Sequence, residues 1–484
     1  METILAKFFT EVDPGWSLSS YAFMVAFVVF YALYLLIGSR QHVLRALYVI
    51  AFSLFFAWKV NGWFMLELPA TALVVWLMTG VMKRHEGRGR KVLLWLTLVV
   101  EFSPLLYFKY TNFALLTINQ LLSANFPLQE ILLPIGISFY TFQAISYTVD
   151  VYKQRFTQDC SLLDFMFYLT FFPLLMAGPI TRAEVLLPQI RRQHGVSSVQ
   201  TYGGLWLIIL GLLKKAVIAD YIAIYNNWIF DDPTGYSGFE NMMGAIGYTL
   251  QIYCDFSGYS DMAIGLAALL GYQLKDNFNF PYKCTNVAEF WHRWHIALST
   301  WMRDYIYIPM GGNRCGTART YFNNFVTMLV AGLWHGASWM FVIWGALHGG
   351  ALVVYKMLRK RISRIPNTRL VVAVSWLMMF AFINLTWVFF RSPSLDTAFT
   401  IIGRSFTDFD IAYLVPFVIA RPTWSLFVAV GFAFQAVSTR WYYRMEARFI
   451  KSPWYVKALL LLIVIQLVIT FRQTDVQPFI YQQF

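Results

Sequence analysis

Apolar runs recur along the whole chain at lengths close to the roughly 20 residues that a helix needs to cross a hydrocarbon core of about 30 Å. They lie near 21–38, 43–58, 63–82, 92–108, 131–149, 164–178, 203–222, 241–254, 259–271, 321–333, 337–355, 370–390, 424–438 and 455–471. Several are short or joined by Gly and Pro, so the pattern predicts about 11–14 crossings. Lipid leaves an open strand edge without partners, so each run is expected to be a helix. The pattern therefore predicts an all-α polytopic membrane protein. One stretch departs from it. Residues 272–320 are too polar and too marked by Pro and Gly for a lipid-facing span, and should be buried in protein or line a wet cavity. The chain reads as one domain over 1–484, with N-terminal helices to 130, a motif-rich centre at 131–350 and C-terminal helices at 351–484.

Composition agrees, with 58% hydrophobic and 13% charged residues among 484 and a mean hydropathy of +0.54. A net charge of +13 in a soluble protein would suggest nucleic acid. Here the cations cluster in short loops: Arg40 and Arg45, Lys83 to Lys91, Lys356 to Arg369, and Arg440 to Lys451. Such loops mark the cytoplasmic side and meet anionic headgroups. No basic-aromatic module for nucleic acid accompanies them. The first two clusters follow the first and third runs, which predicts an N-terminus outside. Residues 1–20 are mixed and carry Glu2, Glu11 and Asp13, so the run from Tyr21 is expected to stay in the mature chain. Residues 1–20 and the loop around 59–62 should face outward. The helix from Ala337 to Tyr355 then runs inward, leaving His335 at its outward end beneath a water-filled outer funnel.

Cys160, Cys254, Cys284 and Cys315 stand apart, without the spacing of a disulfide framework or a zinc knuckle. Four histidines, His292, His295, His335 and His348, fall within otherwise apolar sequence, where an ionisable group is a candidate for function. His292 and His295, three apart, would share one helical face and offer two metal ligands. No third or fourth ligand stands at a matching spacing, so no metal site is expected. His335, in L-W-H-G, lies between two apolar runs, and Gly332 and Gly336 allow a ligand or helix to approach closely. A neutral imidazole there can take the proton of a hydroxyl as its oxygen attacks a carbonyl. His295, with Ser299 and Thr300 after it, can orient the acceptor or stabilise charge. Trp334, Ser299, Arg303 and Asp304 are candidates for substrate contact. Against this, Arg303 and Asp304 can each form a structural ion pair with other residues, and His348, beside Gly349 and Gly350, is expected to pack its helix.

At these residues the chain resembles the membrane-bound O-acyltransferase (MBOAT) superfamily, and within it the bacterial alginate O-acetylation branch. The likeness extends over F-Q-A-I-S-Y-T-V-D-V-Y (142–152), P-L-L-M-A-G-P-I (173–180), Q-I-Y-C-D-F-S-G-Y-S-D-M-A-I-G (251–265), F-N-F-P-Y (278–282) and N-L-T-W-V-F-F-R (384–391). Residues 1–130 match mainly in hydropathy, and the C-terminal end also in the closing P-F-I-Y-Q-Q-F. Departures are small: Cys254 stands where an aromatic is more usual, and Met302 and Met310 replace other apolar residues. The resemblance implies catalytic histidines at His335 and His295, and a multi-helix protein thinned at its centre and reached by funnels from both faces. It implies an acyl thioester (acetyl-CoA or an acyl carrier) arriving from the cytosol as donor substrate, with no bound cofactor. It also implies a polysaccharide acceptor outside, periplasmic or extracellular acetyltransferase partner proteins, and residence in the bacterial cytoplasmic membrane.

Two other functions fit parts of the pattern. One is transfer of D-alanine to teichoic acid. The other is a transporter of an acyl group or lipid, for which Asp255 and Asp261 can serve a proton path. That class is expected to show two symmetric interrupted helices, and the polar interruption occurs once. For Asp255 and Asp261 the simpler reading is helix-breaking caps, with Ser257 and Gly258, at a bent segment.

Overall fold

The computed structural model describes residues 11–13, 15–38, 40–191 and 195–471, and among these it contains helices and no strands. Residues 1–10 of the expected outward N-terminus, and the closing P-F-I-Y-Q-Q-F, lie outside the described residues. Close Cα approaches group the chain into two compact units, residues 1–208 with 259–275, and residues 209–258 with 276–484.

The first unit is built around phenylalanine. Phe30 stacks on Phe52 at 4.1 Å, and Phe172 meets Phe52 edge-on at 5.1 Å. Ser53 Oγ accepts the Phe172 N–H at 3.1 Å, which satisfies a donor at the start of a new helical turn. Other large side chains, among them Val25, Leu36, Leu77 and Val99, remain exposed, as a lipid-facing surface requires. The helical stretch His42–Lys83 covers 42 residues and holds two of the expected runs. At about 1.5 Å per residue it is twice as long as one crossing needs. Gly62, at φ +58°, breaks its path between the two. Polar groups sunk among these helices find partners: Thr148 Oγ1 donates to Glu101 Oε1 at 2.6 Å.

In the second unit the helices Thr317–His335 and Trp339–Ile362 form the central pair. Small residues let their backbones meet. A Cβ on Gly332 would lie 2.2 Å from the Phe341 carbonyl, and one on Gly345 2.5 Å from the Met328 carbonyl. This is the small-residue contact by which helices associate in lipid, where apolar surface alone gives no preference for protein over acyl chain. The helix Arg369–Arg391 packs beside Trp339–Ile362. The polar stretch is folded into this unit from residue 276 onward as short helices and turns, with Phe290, Trp294 and His295 fully buried.

Five described helical stretches are long and apolar enough to cross a membrane: His42–Lys83, Gly87–Leu122, Trp339–Ile362, Arg369–Arg391 and Trp454–Phe471. The count becomes six if Ile411–Ala420 and Pro422–Ala436, bent by 106°, are one span. Fewer stretches qualify than the 11–14 expected because runs merge, as in His42–Lys83, or form helices too short, as in Tyr21–Leu36. The runs 241–254 and 259–271 are one continuous helix, Gly238–Leu269. Asp255 therefore breaks nothing; it pairs with Lys215 at 2.5 Å within the buried part of the second unit.

Candidate active site

His335 is the last residue of its helix, and Gly336 is extended at φ −161°, so the chain leaves the helical path immediately after it. A Cβ at Gly336 would lie 2.0 Å from the Phe341 ring. Both glycines of the motif thus serve close packing of helix on helix. The imidazole is 2% exposed, with Trp334 at 5.1 Å, Trp344 at 5.0 Å and Phe390 at 5.3 Å between ring centroids. His295 is the fourth ring, at 6.5 Å.

His295 reaches this place by a break in the helix. The segment Val287–Arg293 ends, Trp294 is extended, and His295 takes φ +44° before Ile296–Met302 begins. A non-glycine residue in the left-handed region carries strain that its surroundings must hold, and such residues gather at functional sites. Here Asn277 holds it. Its side-chain oxygen accepts the Ala297 N–H at 3.2 Å, and its backbone carbonyl accepts the Ile296 N–H at 2.9 Å. The same side-chain oxygen lies 3.1 Å from His295 Nδ1. Because that oxygen is an acceptor, Nδ1 carries the proton and Nε2 presents its lone pair. Among the described residues Nε2 has no hydrogen-bond partner. Burial in this aromatic setting lowers the imidazole pKa from its usual 6.5 to about 3, so the ring is neutral.

The break also separates the two histidines of the pair. They do not share a helical face: His292 is exposed on the first segment while His295 is buried at the start of the second. Among the described residues no group of three His, Cys, Asp or Glu is placed to hold a metal.

A cavity of about 370 Å³ opens along the segment that follows His295, lined by His292 and Ile296 but by neither His295 nor His335. Ile296, Met302, Met328 and Ala331 give it apolar walls, and Ser299, Arg303 and Lys356 add polar groups. Lys356 Nζ donates to Asn324 Oδ1 at 2.9 Å. Of the candidates named from sequence, His335, His295 and Trp334 come together, while Ser299 and Arg303 line the cavity. Asp304 pairs with its neighbour Arg303 at 2.8 Å, an ion pair between the two residues themselves where the sequence suggested partners elsewhere. His348 is fully buried in an aromatic box of Phe290, Trp291, Trp344 and Phe382. Sequence reasoning missed Asn277, Trp344 and Phe390. Asn277 stands directly before F-N-F-P-Y, and a lone amide there gives no sign of its partner 18 residues on.

A polytopic helical protein that buries a neutral histidine, His295, 6.5 Å from a second buried histidine, His335, and opens a cavity with an apolar interior and cationic groups on the segment that follows His295, has the features of a membrane enzyme. Comparison with known proteins specifies the class. The membrane-bound O-acyltransferase family profile matches residues 90–392, and the chain belongs to that family. It is 40% identical to a probable alginate O-acetylase of Pseudomonas aeruginosa, over 80% of this chain and 74% of that protein. It is 38% identical to a peptidoglycan O-acetyltransferase of Helicobacter pylori over 64% of each chain. A teichoic acid D-alanyltransferase of Bacillus subtilis is 25% identical over 51% of this chain and 66% of its own length. The chain is a multi-pass membrane O-acyltransferase.

Proposed function

We propose that this enzyme O-acetylates an exported, alginate-like polysaccharide, taking the acetyl group from an acyl thioester on the cytosolic side. The observation that carries the reading is the contact of His335 with His295 at 6.5 Å in a buried aromatic setting. His335 takes the proton of an acceptor hydroxyl as that oxygen attacks the thioester carbonyl. The new C–O bond forms, the C–S bond breaks, and the proton passes from His335 to the departing thiolate. Asn277 fixes His295 with Nε2 as a hydrogen-bond acceptor, whose lone pair orients the acceptor through a hydroxyl other than the one that His335 deprotonates. The cavity suits the donor: apolar walls accept the thioester arm, and Arg303 and Lys356 match an anionic head.

In this reading the protein resides in the bacterial cytoplasmic membrane with its N-terminus outside and its basic loops in the cytosol. His335 then lies toward the outer face, and periplasmic or extracellular partner proteins carry the acetyl group onward or present the polymer. The relatives named as acetylases cover more of the chain, at higher identity, than those named for D-alanyl transfer, which favours acetyl as the group moved.

The test is the acetyl content of the exported polymer in a deletion strain complemented with the wild type or with His335→Ala. General-base assistance is worth about 10²–10⁴ in rate, so acetylation should fall to background while the protein stays in the membrane. Wild-type acetylation by the alanine variant would end the assignment.

A further inference from the structure

In the first unit the spanning stretches His42–Lys83 and Gly87–Leu122 each contain an irregular turn. In the first stretch it is the tight turn Gly62–Leu66, directly before the helix Glu67–Lys83. In the second it is the wide π turn Leu106–Tyr110, directly after the helix Gly87–Leu105. The two helices pack on each other, and residues of both turns line an open groove of about 480 Å³. Phe108 meets Phe64 edge-on at 5.6 Å and Tyr107 edge-on at 5.2 Å, and Trp63 completes the aromatic lining. Rings set edge-on turn their faces in different directions, so the groove has a corner of electron-rich π faces.

Glu67 supplies the charge of this groove. Both carboxylate oxygens are shielded from water, and neither has a hydrogen-bond partner among the described residues. The Tyr140 hydroxyl faces them without closing a hydrogen bond. Other rings of the same unit carry the chain's own cations: Lys59 Nζ lies 5.3 Å from the Trp16 centroid, and the Arg90 guanidinium carbon 5.7 Å from that of Tyr152. Among the described residues no such cation stands over the rings of the groove. An unpaired carboxylate beside open aromatic faces is the chemistry that receives an organic cation. Its two oxygens need N–H donors, which a primary ammonium supplies and a quaternary one lacks. The surroundings indicate what carries that ammonium. Trp63 is 76% exposed and Tyr107 56%, and amphipathic rings of this kind gather at headgroup depth. Gly62 turns the chain between two runs that each suffice for a crossing, which puts the groove at a membrane surface. Leu66 and Leu106, both about half exposed, continue the lipid-facing surface beside it. A soluble amine gains nothing from those flanks, whereas a phospholipid lays its acyl chains along them.

We infer that this groove binds an ethanolamine-type phospholipid, with the ammonium of its headgroup held by Glu67 and the ring faces and its acyl chains along Leu66 and Leu106. The site lies wholly within the first unit, and the inference does not depend on the proposed function.

The test uses the full chain, purified in detergent and titrated with phosphatidylethanolamine, phosphatidylcholine or phosphatidylglycerol of identical acyl chains, with bound lipid counted by native mass spectrometry. The wild type should bind the ethanolamine lipid about tenfold or more tighter than either of the others, since only its head donates hydrogen bonds to a carboxylate from a charged nitrogen. Glu67→Gln should weaken that lipid about ten- to hundredfold, the range for losing hydrogen bonds between charged groups, and leave phosphatidylglycerol unchanged. Trp63→Ala, at a position exposed enough to leave the fold intact, should weaken it about two- to fivefold, the scale of one exposed cation–π contact. Equal binding of the three lipids by the wild type, unchanged binding by both variants, or an equal loss of phosphatidylglycerol would each overturn the inference. So would displacement of the lipid by glycerophosphoethanolamine, the same head without acyl chains, at the lipid's own Kd, because the groove would then serve a soluble amine.

Discussion

Gly332→Ala places one methyl group where the two central helices touch, one turn before His335. The new Cβ would lie 2.2 Å from the Phe341 carbonyl oxygen and 3.1 Å from Gly345 Cα, both backbone atoms that cannot rotate away. Relief requires the helices to part by about 1 Å, since non-bonded heavy atoms settle near 3.5–4.0 Å. Overpacking of this kind costs about 1–3 kcal/mol in stability. Catalysis should suffer more. His335 rides on one helix and packs at 5.0 Å against Trp344 of the other, so the parting shifts the proposed base against its own wall. A misplacement of about 1 Å at a reacting group can cost roughly 10²-fold in rate. The assay pairs thermal unfolding of purified protein with the rate of acetyl transfer. Gly350→Ala is the control, on the partner helix with nothing within 4 Å of its Cβ, and should leave both unchanged. A Gly332→Ala enzyme that unfolds at the wild-type temperature and works within a factor of two or three of wild type would refute the link between helix contact and base position.

His295→Ala should lower acetylation by about 10² or more, the scale of a positioned polar group in catalysis, while His292→Ala, at an exposed position on the neighbouring segment, should be milder. The reverse order in a complemented strain would show that the wrong member of the pair was chosen. Stability should fall on acidification: the unfolded chain protonates His295 below its usual 6.5, the folded chain not until about 3, so the unfolded state binds more protons between those values. Unfolding temperatures from pH 7 down to pH 4 should drop more steeply for the wild type than for His295→Asn, and parallel curves would contradict the buried neutral imidazole.

Much of this arrangement was legible before the fold was known. The histidine in L-W-H-G does end a helix, and the glycines on either side do serve close approach, because a Gly-flanked polar residue between two apolar runs admits few other arrangements. The stretch 272–320 was readable as non-spanning from its polarity, and from residue 276 it is folded into the second unit. What failed depended on partners distant in sequence. The spacing of His292 and His295 suits one helix, but Asn277 captures the backbone amides after His295 and with them starts a new helix. Asp255 looked like a helix breaker because Ser257 and Gly258 follow it, yet Lys215 neutralises it within a continuous helix. In each case a hydrogen bond or ion pair decided between two locally acceptable conformations, and its other half could not be read from local pattern.

The central claim is that His335 mediates transfer of an acetyl group across the membrane from a cytosolic thioester to an outer hydroxyl. It is tested most directly with purified protein in sealed vesicles of known orientation, carrying labelled acetyl-CoA on the face of the basic loops and a hydroxyl-bearing oligosaccharide on the other, together with whatever partner proteins its strain supplies. Label should appear on the oligosaccharide with the wild type, and His335→Ala should reduce it to background while intact vesicles retain their acetyl-CoA. Equal labelling by the alanine variant, or labelling by the wild type only when donor and acceptor share one face, would contradict the account.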